Sequence, residues 1–121
     1  MGFRRQLAQT RPAVTTAVQA WQPTFFGQYY ITLIHIVNTG AVDCKVSVFH
    51  DQDGATYTKD TALMYEYILE PGGIVQIESN EGIGDYDDVG TIGVQCDVSD
   101  AANFTIYGEL VEENTDQESF L

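Results

Sequence analysis

The stretch YYITLIHIVN (29–38) constrains this chain more than any other. Its residues are mostly β-branched or aromatic, which favours an extended backbone. Strand alternation puts Tyr29, Ile31, Leu33, His35 and Val37 on one side and Tyr30, Thr32, Ile34, Ile36 and Asn38 on the other. Both sides are largely apolar, so the strand needs cover on each face and belongs in the middle of a fold. Runs of the same kind recur along the chain: VTTAVQAW (14–21), CKVSVFH (44–50), LMYEYILE (63–70), GIVQIES (73–79), VGTIGVQCDV (89–98) and NFTIYGELV (103–111). Helical periodicity is nearly absent. About seven strands separated by turn signals predict an all-β fold, an antiparallel β-sandwich of jelly-roll-like type.

The connections carry their own chemistry. In Glu70-Pro71-Gly72-Gly73, Pro sets φ for the second turn position and Gly accepts positive φ at the third, which predicts a type II turn. Runs 63–70 and 73–79 are expected to be antiparallel neighbours across it. DQDGATYTKDTA (51–62) and the acidic NEGIGDYDD (80–88) read as loops. Gly90, Gly93 and Gly108 interrupt strand patterns and predict bulges or close backbone approach. The expected organisation is an extended N-terminal basic arm (1–13), a β-sandwich domain (14–111) and an acidic polar tail (112–121).

Charge is distributed unevenly. The cations are Arg4, Arg5, Arg11, Lys45 and Lys59, and every acid lies beyond residue 40. Residues 12–121 set two lysines against 18 acids, while the net charge of the whole chain is −13. A body this acidic repels nucleic acid and anionic membranes, so neither is an expected partner. No apolar run approaches the length of a membrane span, and no secretory signal is recognisable, so synthesis in a cytoplasm is expected.

Little here resembles catalytic machinery. His35 sits mid-strand and reads as a structural histidine; His50 ends a strand beside Asp51, where a metal or partner contact is the alternative to a plain strand-end residue. Cys44 and Cys96 read as buried free thiols, with a disulfide across two sheets as the alternative. DQDG (51–54) fails the calcium-loop pattern, because Gly54 comes too early. Asp85, Asp87 and Asp88 cluster as a solvated acidic turn more naturally than as a calcium site. The expectation is a protein without enzymatic activity, cofactor or metal, working through surfaces.

Two groups of residues are candidates for those surfaces. Arg4, Arg5 and Arg11 form a cationic arm suited to the acidic body of a neighbouring subunit or to another negatively charged partner. Phe25, Phe26 and Tyr57 fall in expected loops, where core packing does not claim them. Another reading uses Trp21, Tyr29, Tyr30, Tyr57, Tyr65, Tyr67 and Tyr86 as sugar-stacking rings of a carbohydrate-binding β-sandwich module.

LAQTRPA (7–13), IHIVNTGAVDCKVSVF (34–49), YTKDTALMYEYILEPGGIVQI (57–77) and FTIYGEL (104–110) together resemble small β-sandwich virion proteins of tailed bacteriophages. The family's pattern is an L-x-Q-x-R-P start, a strand ending V-x-N-T/R-G, a tyrosine-containing strand before a Pro/Ala-Gly-type turn, and a final G-x-E strand; this chain matches the first and third and reads I-V-N-T-G (36–40) and Y-G-E (107–109) at the other two. The resemblance spans roughly residues 6–111. It implies a virion structural protein, either a capsid decoration (cement) protein or a tail-associated adaptor, baseplate or fibre-linked component. It further implies a homo-oligomer, such as a trimer, on the major capsid protein or on tail proteins, and carries over no catalytic residue.

Overall fold

The structure, a computed structural model, describes residues 5–22, 28–86 and 90–111. They form β1 (Arg5–Thr10), β2 (Val18–Trp21), β3 (Gln28–Asn38), β4 (Cys44–Asp51), β5 (Ala62–Leu69), β6 (Ile74–Tyr86), β7 (Thr91–Cys96) and β8 (Ala102–Val111), with one 3-10 turn at Lys59–Thr61. First strands pair with last: β1 with β8, β2 with β7, β3 with β6 and β4 with β5, all antiparallel. That is the ladder of a single long hairpin. Two further pairings, β3 with β8 and β4 with β7, roll it into two four-stranded sheets, β1-β8-β3-β6 and β2-β7-β4-β5. An eight-stranded ribbon rolled in this way is a jelly roll, the expected class with one more strand than expected.

The core lies between the four inner strands. Ile31, Ile34 and Ile36 of β3, Val46 and Val48 of β4, Ile92 and Val94 of β7, and Phe104 and Ile106 of β8 are sealed from solvent. Trp21 and Tyr29 pack edge to face toward one end, with ring centroids 5.3 Å apart.

The additional strand is β1, cut from the stretch expected to form a free arm. Residues 5–10 lie against β8, with Leu7 and Ala8 packed on the core and Gln9 donating to Thr105 Oγ1 at 3.1 Å. RQLAQT has too few apolar residues to announce a strand; its partner's backbone completes it. Residues 1–4 lie outside the described residues. Conversely, the run 14–21 yields only the short β2, and 14–16 bend.

β3 departs from simple alternation. The register shifts between Ile31 and Leu33, so the buried set runs Tyr29, Ile31, then Ile34, Ile36, Asn38. One extra residue moves every later side chain to the opposite face. The same line crosses the sheet: β1 shifts at Leu7, and β6 jumps from Ile83 to Glu78. Gly108 of β8 sits between them, where a Cβ would strike the Tyr30 carbonyl and Leu7. Thr32, the extra residue, is buried with Oγ1 unpartnered, a group of a kind that costs roughly 1–3 kcal/mol.

The expected 63–70/73–79 hairpin is corrected. The type II turn itself is present: Gly72 has φ +80° and Gly73 N–H donates to the Glu70 carbonyl at 2.8 Å. It joins two sheets, however, because β5 pairs with β4 and β6 with β3. The end of β3 holds it there. Asn38 N–H donates to Gly73 O, and Gly72 N–H donates to Asn38 O, at 3.0 and 2.8 Å. The Asn38 amide, fully buried, donates to Val42 O and Leu69 O at 2.8 and 2.9 Å and accepts from Gly40 N–H at 2.9 Å. The expected loop 80–88 is also shorter than its composition implied, since β6 continues to Tyr86.

Candidate interaction surface

The histidines, cysteines and clustered acids do not converge. His35 is half-buried on β3, level with Gln76 and Thr105, whereas His50 is on β4 in the other sheet. Cys44 and Cys96 are free, buried and on adjacent strands of one sheet, so a bridge between sheets is not available to them. Burial and the neighbouring Cys96 thiol push the Cys44 thiol up to about 12. Asp87 and Asp88 lie outside the described residues. Among the described residues no three His, Cys, Asp or Glu side chains group as metal ligands.

The outer face of the β2-β7-β4-β5 sheet carries a second, smaller packing unit. Phe49 points outward from β4, yet is only 1% exposed. Its cover is the 52–61 segment, whose Tyr57 ring stacks on it at 5.9 Å, and Tyr65 meets it edge-on at 6.5 Å. Tyr57 lies directly over Gly93, where a Cβ would come within 2.7 Å of the ring, and its hydroxyl is 2.6 Å from Thr91 Oγ1. Asp51 ties down the start of the segment by accepting from Thr56 N–H at 2.7 Å and Asp53 N–H at 3.2 Å. These bonds, the Thr56 bond foremost, hold its carboxyl below the usual range. Tyr57 is therefore claimed by intramolecular packing, contrary to the premise that made it a contact residue. Trp21 and Tyr29 are likewise core residues, which removes two of the candidate sugar-stacking rings.

Next to this unit is a surface of which the sequence reading named only Tyr65 and Tyr67, as stacking rings, and not the aliphatic residues around them. β5 is the outermost strand of its sheet and exposes Leu63 (41%), Tyr65 (44%), Tyr67 (47%) and Ile68 (62%); Ile74 at the start of β6 is 60% exposed. The signal was present in LMYEYILE, where one parity is wholly apolar (Leu63, Tyr65, Tyr67, Leu69) and the other still carries Met64 and Ile68 alongside Glu66 and Glu70. β5 does not offer a clean ladder to a further strand. Its pairing with β4 shifts register twice, Glu66 has φ 53°, and Glu66 N–H is turned to Ser47 Oγ at 2.9 Å. Such irregularity blunts an edge against sheet extension, leaving side chains as the means of contact. Beside it, Lys45, Ser47, Glu66, Gln95 and Asp97 line a shallow depression of about 130 Å³, small against the roughly 300–1,000 Å³ of small-molecule sites. Of the other surface candidates, Arg5 and Arg11 are exposed, whereas Arg4, Phe25 and Phe26 lie outside the described residues.

No family model matches the chain. No curated protein matches it. Among solved structures, it is similar to a chain of the T13 infectious bursal disease virus particle, with 9% identity and a TM-score of 0.40 over 100% of this chain and 41% of that one. A Nora virus chain aligns at 11% identity and a TM-score of 0.35, over 90% of this chain and 54% of that one. A chain of the infectious bursal disease virus VP2 subviral particle aligns at 10% identity and a TM-score of 0.28, over 100% of this chain and 43% of that one. This chain thus spans about half, or less, of the length of each.

Proposed function

We propose that this protein is a non-enzymatic virion structural subunit that decorates or cements a capsid shell. The observation that carries the reading is the β5–β6 edge. A chain of net charge −13 keeps Leu63, Tyr65, Tyr67, Ile68 and Ile74 in water along one side of a jelly roll. Large apolar side chains grouped on a charged, soluble body mark a surface that is covered in the working assembly. The resemblance to tailed-phage virion proteins supplies the setting, with the major capsid protein as the larger partner.

The test is the robustness of phage heads with and without the protein. Heads lacking it should lose DNA at lower temperature, and adding back purified protein should restore them. The Tyr67→Ser/Ile68→Ser variant should fold but fail to restore. Intact, equally robust heads that cannot adsorb to cells would overturn the shell role and put the protein in the tail.

A further inference from the structure

The topology places β1 and β2 along one side of the jelly roll and β5 and β6 along the opposite side, since each pair ends its sheet and β1 touches β2. The charges lean the same way, with Lys59, 5.6 Å over the Tyr65 ring, and Lys45, which shares a depression with Glu66, as the cations near β5. Residues 5–22 carry Arg5 and Arg11 and no acid; the first acid of the chain is Asp43. Residues 62–86 carry Glu66, Glu70, Glu78, Glu81 and Asp85 and neither Lys nor Arg. Arg5 and Arg11 are exposed on the first side, as are Glu66, Glu70 and Glu78 on the second. Each side also offers apolar surface, Val14 at 50% exposure on the first and the β5 strip on the second.

We propose that copies of this chain associate head to tail, the β1–β2 side of one against the β5–β6 side of the next. The inference rests on the reading of the protein as a surface-binding subunit and names a second copy as the occupant of the β5–β6 edge. The alternative self-contact, β5 against β5, would cover the strip but press Glu66 and Glu70 of one copy onto those of another. Like charges facing each other across an interface are strongly unfavourable, and the nearby Lys45 and Lys59 offset only part of the negative charge of a chain at −13. Opposite sides joined together bury the same strip while pairing guanidinium with carboxylate. The contact runs through side chains, because Glu66 at φ 53° spoils the ladder that a continued sheet would need. Contacts between two different surfaces are heterologous. They close into a ring when the rotation per copy allows it and otherwise continue as a filament.

Sedimentation velocity on the purified full chain tests this through two charge reversals, Arg5→Glu/Arg11→Glu and Glu66→Arg/Glu70→Arg. The wild type should self-associate, and less so between about 0.05 and about 0.5 M salt as screening shortens. Each reversed variant alone should associate on the order of tenfold more weakly, because both of its sides then carry the same sign. An equimolar mixture of the two variants should recover association, since every contact between unlike copies again joins opposite charges. A wild type that stays monomeric at all concentrations overturns the inference, as does association indifferent to both reversals, or a mixture no stronger than its components. Should a variant fail to fold, the wild-type salt dependence decides: association strengthened by salt contradicts the charge pairing. A monomer that still stabilises phage heads would remove this inference and leave the shell role standing. An oligomer without effect on heads would do the reverse.

Discussion

Asn38 is the residue whose replacement the fold should feel most for its size. Its side chain is 0% exposed and holds three groups from two places in the chain: Val42 O and Gly40 N–H in the β3–β4 connection, and Leu69 O at the end of β5. Asn38→Ala removes all three bonds. At about 1 kcal/mol each, plus part of the desolvation penalty for the Leu69 carbonyl, which has little access to water, the loss comes to about 3–4 kcal/mol. Val42 is exposed, so its carbonyl recovers a bond to solvent and adds little further. Against a usual total of about 5–15 kcal/mol, that is a large share of the stability. For a chain of this length it corresponds to a fall in melting temperature of roughly 10–20 °C. Thermal and urea unfolding followed by circular dichroism measure it, with Gln9→Ala as the comparison. Gln9 also loses a side-chain bond, to Thr105, but is itself exposed, and its loss should stay below about 1 kcal/mol. Asn38→Asp sharpens the test. A carboxylate there would face two carbonyl oxygens, so this variant should be weaker than Asn38→Ala near neutral pH and recover as acid protonates it. A cost under about 1 kcal/mol for Asn38→Ala would refute the idea that one side chain ties the sheet-crossing turn to β3.

The Tyr57–Gly93 contact gives a second expectation: Gly93→Ala should destabilise by about 1–3 kcal/mol by displacing the ring, and should cost much less when Tyr57 is already Ala. Strict additivity in that double-mutant cycle would show the two do not touch. Third, Cys44 and Cys96 should resist thiol-reactive probes near pH 8 in the folded protein and react once it is unfolded; rapid native labelling would contradict their burial. Because folding raises the Cys44 value, its contribution to stability is whole below the ordinary thiol pKa of about 8.5 and is lost as pH climbs toward about 12. Unfolding free energy should therefore decline across that alkaline window, and decline less in Cys44→Ala.

The sequence by itself determined what depends on neighbours along the chain. Two-residue alternation and β-branched runs marked the strands from β3 onward, and the central place of β3 followed from its two apolar faces. Pro71-Gly72 specified its turn because φ at those positions is a local property. The acid-free first third of the chain was plain on inspection. What only the tertiary structure decided are matters of long-range contact. β1 exists because Arg5–Thr10 finds the backbone of β8, some hundred positions away, and its own side chains give little sign of it. The Pro71-Gly72 turn is the same turn whether it closes a hairpin or crosses between sheets; the bonds from Asn38 choose the crossing. The shift at Thr32 reverses the faces of β3 because Leu7, Gly108 and the β6 backbone meet there. Tyr57 looked unoccupied from its loop composition, and the missing Cβ of Gly93 is what gives its ring a seat. The apolar edge was written in LMYEYILE, but that it stands uncovered became visible only once β5 was found at the end of its sheet. A strand's composition records how much surface it must bury, and the topology decides whether this chain or another one covers it.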